Sequence, residues 1–322
     1  MNRIDRTPAW KKAIDALPEN IRAEIDRIWD NRGILSAEAV ARLAIAPAEI
    51  GTLMMQLLPM ARQYAVVPVS HFQVGAVAAG MPNPGTGWCN LYMGANFEFA
   101  NTSLSFTVHA EQAATNNAWL SGEPGIQSLA ISDAPCGYCR QFLYELVTAQ
   151  QLSILLPTKA DALPYTSTPL TTLLPRPFGP NDLGVAGGLM DPRLCSRTLA
   201  LESGAPVDPV IAAGLSGASR SYAPYATGES HAYAGVAVQL ADGSIYAGRH
   251  AENAAYNPSL SPLQSALAFL NMGQPPGATR VVKRCVLVEV PTLASQRSAT
   301  QATLAAYAPT VELEYYAALI VS

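Results

Sequence analysis

An internal repeat constrains the fold of this chain more than any other feature of its sequence. Residues 92–98 (Tyr-Met-Gly-Ala-Asn-Phe-Glu) align with residues 246–252 (Tyr-Ala-Gly-Arg-His-Ala-Glu), and after a two-residue insertion residues 101–105 align with residues 257–261. A repeat of this kind indicates that one structural unit occurs twice. The 322 residues are enough to give each copy its own hydrophobic core. We therefore predict a duplicated domain.

The first copy contains polar residues that the second copy lacks. The alignment places residues 109–111 (His-Ala-Glu) opposite residues 265–267 (Ser-Ala-Leu), and residues 135–139 (Pro-Cys-Gly-Tyr-Cys) opposite residues 291–295 (Pro-Thr-Leu-Ala-Ser). His250 has no cysteine near it in the sequence and is expected to be a surface histidine rather than a ligand. The second copy is thus expected to keep the fold without the chemistry, and to supply an interface and part of the pocket wall.

His109, Cys136 and Cys139 are predicted to be zinc ligands. A catalytic zinc site keeps three protein ligands and leaves its fourth position to water, whose pKa the metal lowers to about 7. Glu111 is not needed as a ligand and is expected to shuttle protons. A His-x-Glu motif followed by Pro-Cys-x-x-Cys is typical of zinc deaminases. The alternatives are a redox-active cysteine pair and a closed structural zinc site with an unrecognised fourth ligand.

The spacing of these residues predicts where they lie on helices. His109 and Glu111 differ by about 200° around a helix axis, so both can face one metal ion only at a helix N-terminus. Pro135 suits the turn before a second helix, predicted over residues 136–150. A helix N-terminus also favours thiolate over thiol. We therefore expect two helix N-termini to converge on the metal.

The hydrophobic pattern predicts an α/β fold. Short helices are predicted before residue 51: one has Ile21, Ile25, Ile28 and Trp29 on its apolar face, a second begins at Ser36, and a third begins near Pro47, with Pro59 ending or kinking it. The predicted order that follows is ββαβαβ, with strands over residues 72–79, 88–93, 126–132 and 152–156 and helices from 109 and 136. This order implies a three-layer α/β/α domain whose last two strands are parallel.

These patterns divide the chain into four parts. Residues 1–51 are predicted to form an N-terminal helical segment, and residues 52–160 the catalytic zinc domain. Residues 161–197 are rich in proline and show no clean periodicity, so we predict an extended connector that crosses a surface or reaches another subunit. Residues 198–322 are predicted to form the degenerate, non-catalytic domain.

The composition excludes several function classes. The formal net charge is −4 and no cluster of basic residues occurs, which argues against nucleic acid as a partner and favours a small substrate. Residues 63–97 are uncharged for long stretches, but prolines and glycines divide them into strands and turns, so no membrane span is predicted. Neither a secretory segment nor a disulfide framework is evident, and a cytoplasmic location is expected.

With these motifs and this domain order, the chain resembles the cytidine deaminase family. The resemblance is to the long bacterial type, which has a helical N-terminal segment, an active domain and a degenerate domain. The matching motifs cover residues 70–76, 94–98, 109–112, 135–142, 178–183 and 251–258. The resemblance implies a homodimer with one Zn²⁺ per chain. It also implies hydrolytic deamination of cytidine and 2′-deoxycytidine to uridine and 2′-deoxyuridine, with release of ammonia in pyrimidine salvage.

The resemblance also implies roles for individual residues. It makes His109, Cys136 and Cys139 the zinc ligands and Glu111 the proton shuttle. The remaining substrate contacts that it implies are the sugar-reading Asn96 and Glu98 with Phe97 between them, the pyrimidine-packing Phe72, the base-edge backbone of Ala110, and Phe178 from the neighbouring subunit. An amide and a carboxylate two residues apart on a strand end point to the same side and suit a ribose hydroxyl. For Phe72, a buried position in a core strand is equally compatible with the sequence.

Two rival functions stay open from the sequence. One is a zinc deaminase acting on a nucleotide, a free base, an RNA base or a nucleoside antibiotic. A phosphate group would call for Arg or Lys near Asn96 and Glu98. The sequence has neither residue there, which favours an unphosphorylated nucleoside as the substrate. The other rival is a non-catalytic, zinc-stabilised interaction module, in which Glu111 would have no use.

Overall fold

The structure, a computed structural model, describes residues 8–28, 31–158, 163–202, 208–225 and 231–321. These residues form two mixed β-sheets, each with helices on both faces. None of the helices in these ranges combines the length and the apolar composition needed to cross a membrane.

The N-terminal residues form short helices, as predicted. They are α1 (Pro8–Asp15), α2 (Glu19–Ile28) and α3 (Ala37–Arg42). Ile21, Ile25 and Ile28 form the buried face of α2, whereas residue 29 of the predicted face lies outside the described residues. Ser36 caps α3, because its hydroxyl oxygen accepts a hydrogen bond from the backbone N–H of Ala39 at 3.2 Å.

The next helix, α4 (Ile50–Arg62), covers one face of the first sheet. A 3₁₀ turn over Pro47–Glu49 leads into it. Pro59 does not end this helix, as one of the two predicted outcomes had it, because the helix continues to Arg62 with Pro59 inside it. The buried side of α4 carries leucine and methionine residues that pack on alternate residues of the strands, such as Val77 and Ala79.

The first sheet contains six strands in the order β1-β3-β2-β4-β5-β6. They are β1 (Ile34–Leu35), β2 (Gly75–Gly80), β3 (Leu91–Ala95), β4 (Ile126–Ile131), β5 (Ser153–Pro157) and β6 (Tyr165–Pro169). The pair β4 and β5 is parallel, as predicted, and the other pairs are antiparallel. The opposite face of this sheet is covered by α5 (Ala110–Leu120) and α6 (Gly137–Tyr144), and α7 (Leu170–Leu173) follows β6.

Three predicted elements need correction. The strand predicted from residue 72 begins at Gly75, so Phe72 precedes it. The helix predicted over 136–150 ends at Tyr144. The predicted connector, residues 161–197, contains β6, which is the edge strand of the sheet. Its Tyr-Thr-Ser-Thr-Pro sequence lacks an apolar alternation because an edge strand is only partly covered, and its residues are exposed or half-buried.

The second sheet repeats this arrangement with five strands in the order β7-β11-β10-β8-β9. They are β7 (Leu199–Leu201), β8 (Ala234–Leu240), β9 (Ile245–Arg249), β10 (Val282–Glu289) and β11 (Leu313–Ile320), and the helices are α8 (Pro209–Ser219), α9 (Pro262–Met272) and α10 (Arg297–Tyr307). The order from β8 to β11 is again ββαβαβ, and β10 and β11 are parallel. The duplicated three-layer α/β fold is therefore confirmed.

The two domains share one hydrophobic core. Helices α5 and α9 pack against each other, and apolar residues of both domains form a single buried cluster. Two buried hydrogen bonds join the helices: Asn116 Nδ2 donates to the Ser265 carbonyl at 3.0 Å, and the Ser265 hydroxyl donates to Asn116 Oδ1 at 2.6 Å. The two copies thus form one structural unit.

Candidate metal centre

The N-termini of α5 and α6 meet at one group of potential ligands. His109 is the N-cap residue of α5, Cys136 is the N-cap residue of α6, and Cys139 lies in the first turn of α6. His109 Nδ1 lies 3.2 Å from Cys139 Sγ and 3.7 Å from Cys136 Sγ. A tetrahedral zinc with bonds of about 2.0–2.3 Å separates its ligand atoms by about 3.5–3.8 Å, so the residues fit zinc. The predicted convergence of two helix N-termini is confirmed.

Backbone pairing brings the histidine to the strand that carries Asn96. Phe97 and Val108 form an antiparallel bridge, with N–H···O distances of 2.8 and 2.9 Å in the two directions. His109 follows Val108 directly and therefore lies opposite Asn96. This bridge places the predicted sugar-reading residues next to a predicted metal ligand.

A hydrogen bond between the two cysteines sets their charges. The thiol of Cys139 donates to Cys136, and this bond is the largest of the causes that lower the pKa of Cys136 to about 5; backbone N–H groups of Cys139 and Tyr138 contribute, and burial opposes them. The same hydrogen bond and burial raise the pKa of Cys139. The lowered pKa of Cys136 favours its thiolate, which is the form in which a cysteine binds metal.

Glu111 lies beside the ligand group without belonging to it. It occupies the first turn of α5, is 4% exposed and forms a hydrogen bond with Cys139. Burial raises the pKa of its carboxyl, and its own backbone N–H and His109 oppose that shift. A buried carboxyl group with a raised pKa suits reversible proton transfer.

Asn96 and Glu98 both hold the backbone of residues 69–74. Asn96 Oδ1 accepts from the Val74 N–H at 2.9 Å, and its Nδ2 donates to the Phe72 carbonyl at 2.8 Å. Glu98 Oε2 accepts from the N–H groups of Val69 and Ser70, both at 3.0 Å. The two residues therefore fix the segment that carries Phe72.

The charge on Glu98 is stabilised in place. Burial tends to raise the pKa of its carboxyl, but the Ser70 hydroxyl, at 2.5 Å from Oε1, and the backbone N–H groups of Ser70 and Val69 outweigh this effect and lower the pKa. Glu98 is 5% exposed. The carboxylate can still accept a further hydrogen bond, because its two oxygens offer about four lone-pair positions.

The aromatic residues predicted for the site divide into two kinds. Phe97 is 1% exposed and packs on Phe99 and Tyr307 with ring centroids 5.1 and 5.9 Å apart, and both of its backbone groups pair with Val108. Its ring therefore belongs to the core. The reason is strand alternation: the side chain between Asn96 and Glu98 points to the opposite side.

Phe72 and Phe178 are both exposed, with 55% and 47% of their surface accessible. The core-strand interpretation of Phe72 is therefore wrong. Phe178 is anchored by its backbone carbonyl, which accepts from Gln141 Nε2 at 2.7 Å, while its ring is exposed. Ala110 is buried at the first position of α5, where its N–H belongs to the unpaired donors of the helix start.

Sequence reasoning missed Gln112 as a member of the site. Its Oε1 accepts from the N–H of His109 at 3.1 Å, and its Nε2 donates to the Pro258 carbonyl of the second domain at 3.3 Å. Gln112 Nε2 also lies 3.5 Å from the hydroxyl of Tyr138, a residue that stands between the two cysteines in the sequence. The signal that could have identified it is its position three residues after the N-cap, as in a capping box.

The equivalent site in the second domain has a different register from the predicted one. Ser261, not Ser265, is the N-cap of α9, and Gln264 Oε1 accepts its N–H at 3.0 Å, as Gln112 does for His109. Leu263 therefore stands where Glu111 stands, and the predicted pairing was wrong by four residues. The reason is that residues 253–260 form a shorter loop than residues 99–108, so the similar Asn-x-Ser-Leu-Ser sequences are not structural equivalents.

The conclusion that the second copy lacks the metal site is unaffected. In the part of the chain that the structure describes, only His109, Cys136 and Cys139 form a group of three or more residues that could hold a metal ion. His250, the counterpart of Asn96, is 4% exposed rather than on the surface, and burial lowers its pKa to about 4. Glu252, the counterpart of Glu98, accepts from the Tyr225 N–H at 2.9 Å, and burial raises its pKa to about 7.

Comparison with known proteins identifies one family. Two family profiles, both described as "Cytidine and deoxycytidylate deaminase zinc-binding region", match residues 49–154 and 170–303. A protein named cytidine deaminase from Aliivibrio fischeri is 41% identical over 95% of this chain and 96% of its own length. Those from Aeromonas salmonicida and Photorhabdus laumondii are 42% and 46% identical, covering 96% and 79% of this chain and 99% and 79% of their own lengths.

A solved structure also matches part of the chain. The crystal structure of cytidine deaminase from Mycobacterium tuberculosis is 29% identical, covers 40% of this chain and 96% of its own, and superposes with a TM-score of 0.33.

Proposed function

We infer that this chain, which belongs to the cytidine and deoxycytidylate deaminase family, is a zinc-dependent hydrolase that converts cytidine to uridine with release of ammonia. The same reaction is proposed for 2′-deoxycytidine. The observation that carries this function is the convergence of one histidine and two cysteines at two helix N-termini, with a buried carboxyl group beside them.

His109, Cys136 and Cys139 would hold the zinc. When bound, zinc acts as a Lewis acid that lowers the pKa of a coordinated water to about 7. Three protein ligands would be the number typical of catalytic zinc sites, in which water completes the coordination. A structural site would use a fourth protein ligand, and the described residues bring no fourth His, Cys, Asp or Glu into this group.

Glu111 moves protons during the reaction. It takes a proton from the attacking water and delivers protons to N3 of the pyrimidine and to the departing amino group. Its position in the first turn of α5, beside Cys139, supports this role, because the carboxyl stays close to the metal without being consumed as a ligand. Burial excludes bulk water as a competing proton source.

The substrate is held by residues of the same strand end. We propose that Asn96 and Glu98 bind the ribose 3′-hydroxyl, that the exposed ring of Phe72 packs on the pyrimidine, and that the N–H of Ala110 contacts the base edge. The hydrogen bonds from Asn96 and Glu98 to residues 69–74 support this arrangement, since they fix Phe72 relative to the sugar-binding groups. A free 3′-hydroxyl exists on a nucleoside but not inside a polymer.

A homodimer is the proposed assembly. The exposed ring of Phe178, held by Gln141 through its backbone, is suited to enter the active site of a neighbouring subunit. Residues 52–160 are proposed to be the catalytic domain, residues 198–322 the non-catalytic domain and residues 1–51 the helical segment. Residues 161–197, which include the edge strand β6, link the two domains. A cytoplasmic location is also proposed, supported by five cysteines that form no disulfide.

The direct test is an ultraviolet assay of deamination by the purified protein. Cytidine and deoxycytidine are expected to be converted, with cytosine, CMP and adenosine as comparison substrates. The matched control is Glu111→Gln, which keeps the shape of the side chain and removes its proton transfer. Activity on adenosine or CMP alone would overturn the proposed substrate, and equal activity of Glu111→Gln would overturn the proposed mechanism.

A further inference from the structure

Residues 251–258 of the second domain lie against both helices that carry the metal ligands. This segment, the interdomain loop, follows β9 and contains an Ala-Glu-Asn-Ala-Ala-Tyr-Asn-Pro sequence that the reaction itself does not use. It contacts α5 at one end and α6 at the other. The domain without a metal site is therefore in direct contact with both helices that carry the predicted ligands of the other domain.

The contact with α6 centres on Glu145, the C-cap residue of that helix. Glu145 is 1% exposed. Its Oε1 accepts hydrogen bonds from the hydroxyls of Tyr222, at 2.7 Å, and Tyr225, and its Oε2 accepts from the Ala254 N–H at 2.9 Å. All three donors come from the second domain. Loss of the donors would leave a buried carboxylate unpaired, and loss of the carboxylate would leave buried donors unpaired. Either change would cost considerable stability, so the contact between Glu145 and the second domain depends on these particular partners.

A second connection lies closer to the cysteines. Asn253 Nδ2 donates to the Gln141 carbonyl at 3.1 Å, and Gln141 Nε2 lies 3.4 Å from Asn253 Oδ1. Gln141 is two residues from Cys139 on the same helix. Asn253 is completely buried, so it pairs with α6 in place of water.

The contact with α5 acts on His109. Gln112 donates to the Pro258 carbonyl with its Nε2 and accepts the N–H of His109 with its Oε1. One amide side chain thus links the end of the interdomain loop to the backbone of the histidine ligand. The interdomain loop thus contacts α5 near its start, through Gln112, and α6 at Gln141 and at its C-terminal end, Glu145.

We propose that the interdomain loop is a positioning element for the metal centre, which holds α5 and α6 at the separation that zinc requires. Glu145, Asn253 and Gln112 are its positioning residues, and none of them is a ligand. This gives the degenerate domain a role in the chemistry of the active one. The inference rests on the proposed function, because it takes His109, Cys136 and Cys139 as the zinc ligands.

The test compares Glu145→Gln and Asn253→Ala with a matched control, Glu123→Gln. Glu123 is also a buried carboxyl that accepts from three residues, Met81, Asn90 and Tyr92, but all three belong to the first domain. The measurements are zinc retention against a chelator, the visible absorption of the Co²⁺-substituted protein, and the thermal midpoint. Outer-shell changes at metal sites typically cost 10–100-fold in metal affinity, and we expect about a 10-fold loss for Glu145→Gln and Asn253→Ala.

The expected result is weakened zinc retention and an altered Co²⁺ spectrum in the two interdomain variants, with both properties unchanged in Glu123→Gln. If all three variants lose thermal stability alike while the Co²⁺ spectrum and zinc retention of the folded fraction stay as in the wild type, the contacts are structural only and the proposal is overturned. Tyr222→Phe, which removes one donor and keeps the ring, serves where Glu145→Gln does not fold. A wild-type protein that binds no zinc would instead overturn the proposed function.

Discussion

Gln112 and Gln264 occupy equivalent positions in the two domains, and each donates a hydrogen bond to a backbone carbonyl of the other domain. Gln112 Nε2 donates to Pro258, and Gln264 Nε2 donates to Phe106 at 2.7 Å. Each also accepts the N-cap N–H of its own helix. The two domains are thus joined by a reciprocal pair of contacts, but only one of the two helix starts carries a proposed metal ligand, His109. The duplication preserved the interface and left the chemistry on one side.

Replacing Glu111 separates metal binding from catalysis. Glu111→Gln is expected to retain about one zinc per chain, because Glu111 is not among the ligands, while deamination falls by roughly 10²–10⁴-fold or more with the loss of proton transfer. Metal analysis and the ultraviolet assay on the same sample check this. Loss of the metal together with the activity would contradict the assigned role.

Zinc removal is expected to leave the fold intact. The two sheets and the shared core are built from apolar residues that do not depend on the metal. After dialysis against a chelator, the circular dichroism spectrum should be unchanged, the thermal midpoint should fall, and activity should return when zinc is added. Unfolding on zinc removal would favour the zinc-stabilised interaction module.

Glu98 is expected to contribute more to substrate binding than to folding. Glu98→Ala should raise KM for cytidine by about 10-fold or more, since hydrogen bonds to a charged group contribute about 1.5–3 kcal/mol, and zinc content should be unchanged. Ser70→Ala is the control, because it removes the short hydrogen bond to Glu98 but leaves the carboxylate. Equal effects of the two changes would assign Glu98 to holding residues 69–74 rather than to the sugar.

Glu252 is expected to make stability depend on pH. Burial raises the pKa of its carboxyl to about 7, so the folded protein binds this proton more tightly than the unfolded chain does. The resulting stabilisation is complete below the ordinary glutamate pKa and is lost as pH rises through about 7; its size is on the order of 3 kcal/mol.

Thermal midpoints measured between pH 5 and 8 for the wild type and Glu252→Gln test this. The wild type should lose more stability than the variant as pH rises. Parallel curves for the two proteins would show that Glu252 does not titrate in this range.

Phe178 is expected to act across the subunit interface. Phe178→Ala and Glu111→Gln should each be impaired alone. Mixed dimers contain one site with an intact Glu111 from one chain and an intact Phe178 from the other, so mixing and reassociation should restore activity. If dimers that are shown to be mixed do not recover activity, Phe178 acts in the active site of its own subunit or in neither active site.

Much of the site could be predicted from sequence because its chemistry is local. His109, Glu111, Cys136 and Cys139 lie within the first turns of two helices, where spacing alone fixes which side chains share a direction. The burial of Phe97 could also have been deduced from strand alternation between Asn96 and Glu98. The edge strand β6 could not, because its pairing with β5 leaves no apolar pattern in the sequence.

The sequence by itself determined the duplication, the order of strands and helices, the three candidate metal-binding side chains and the acid beside them. Only the tertiary structure decided that Ser261 and not Ser265 replaces His109, because loops of different length displace the sequence similarity from the structural equivalence. Only the tertiary structure, too, brought Glu145 to Tyr222 and Gln112 to Pro258. Hydrogen bonds between residues so far apart in the chain depend on how two folded domains pack, and no local pattern encodes them.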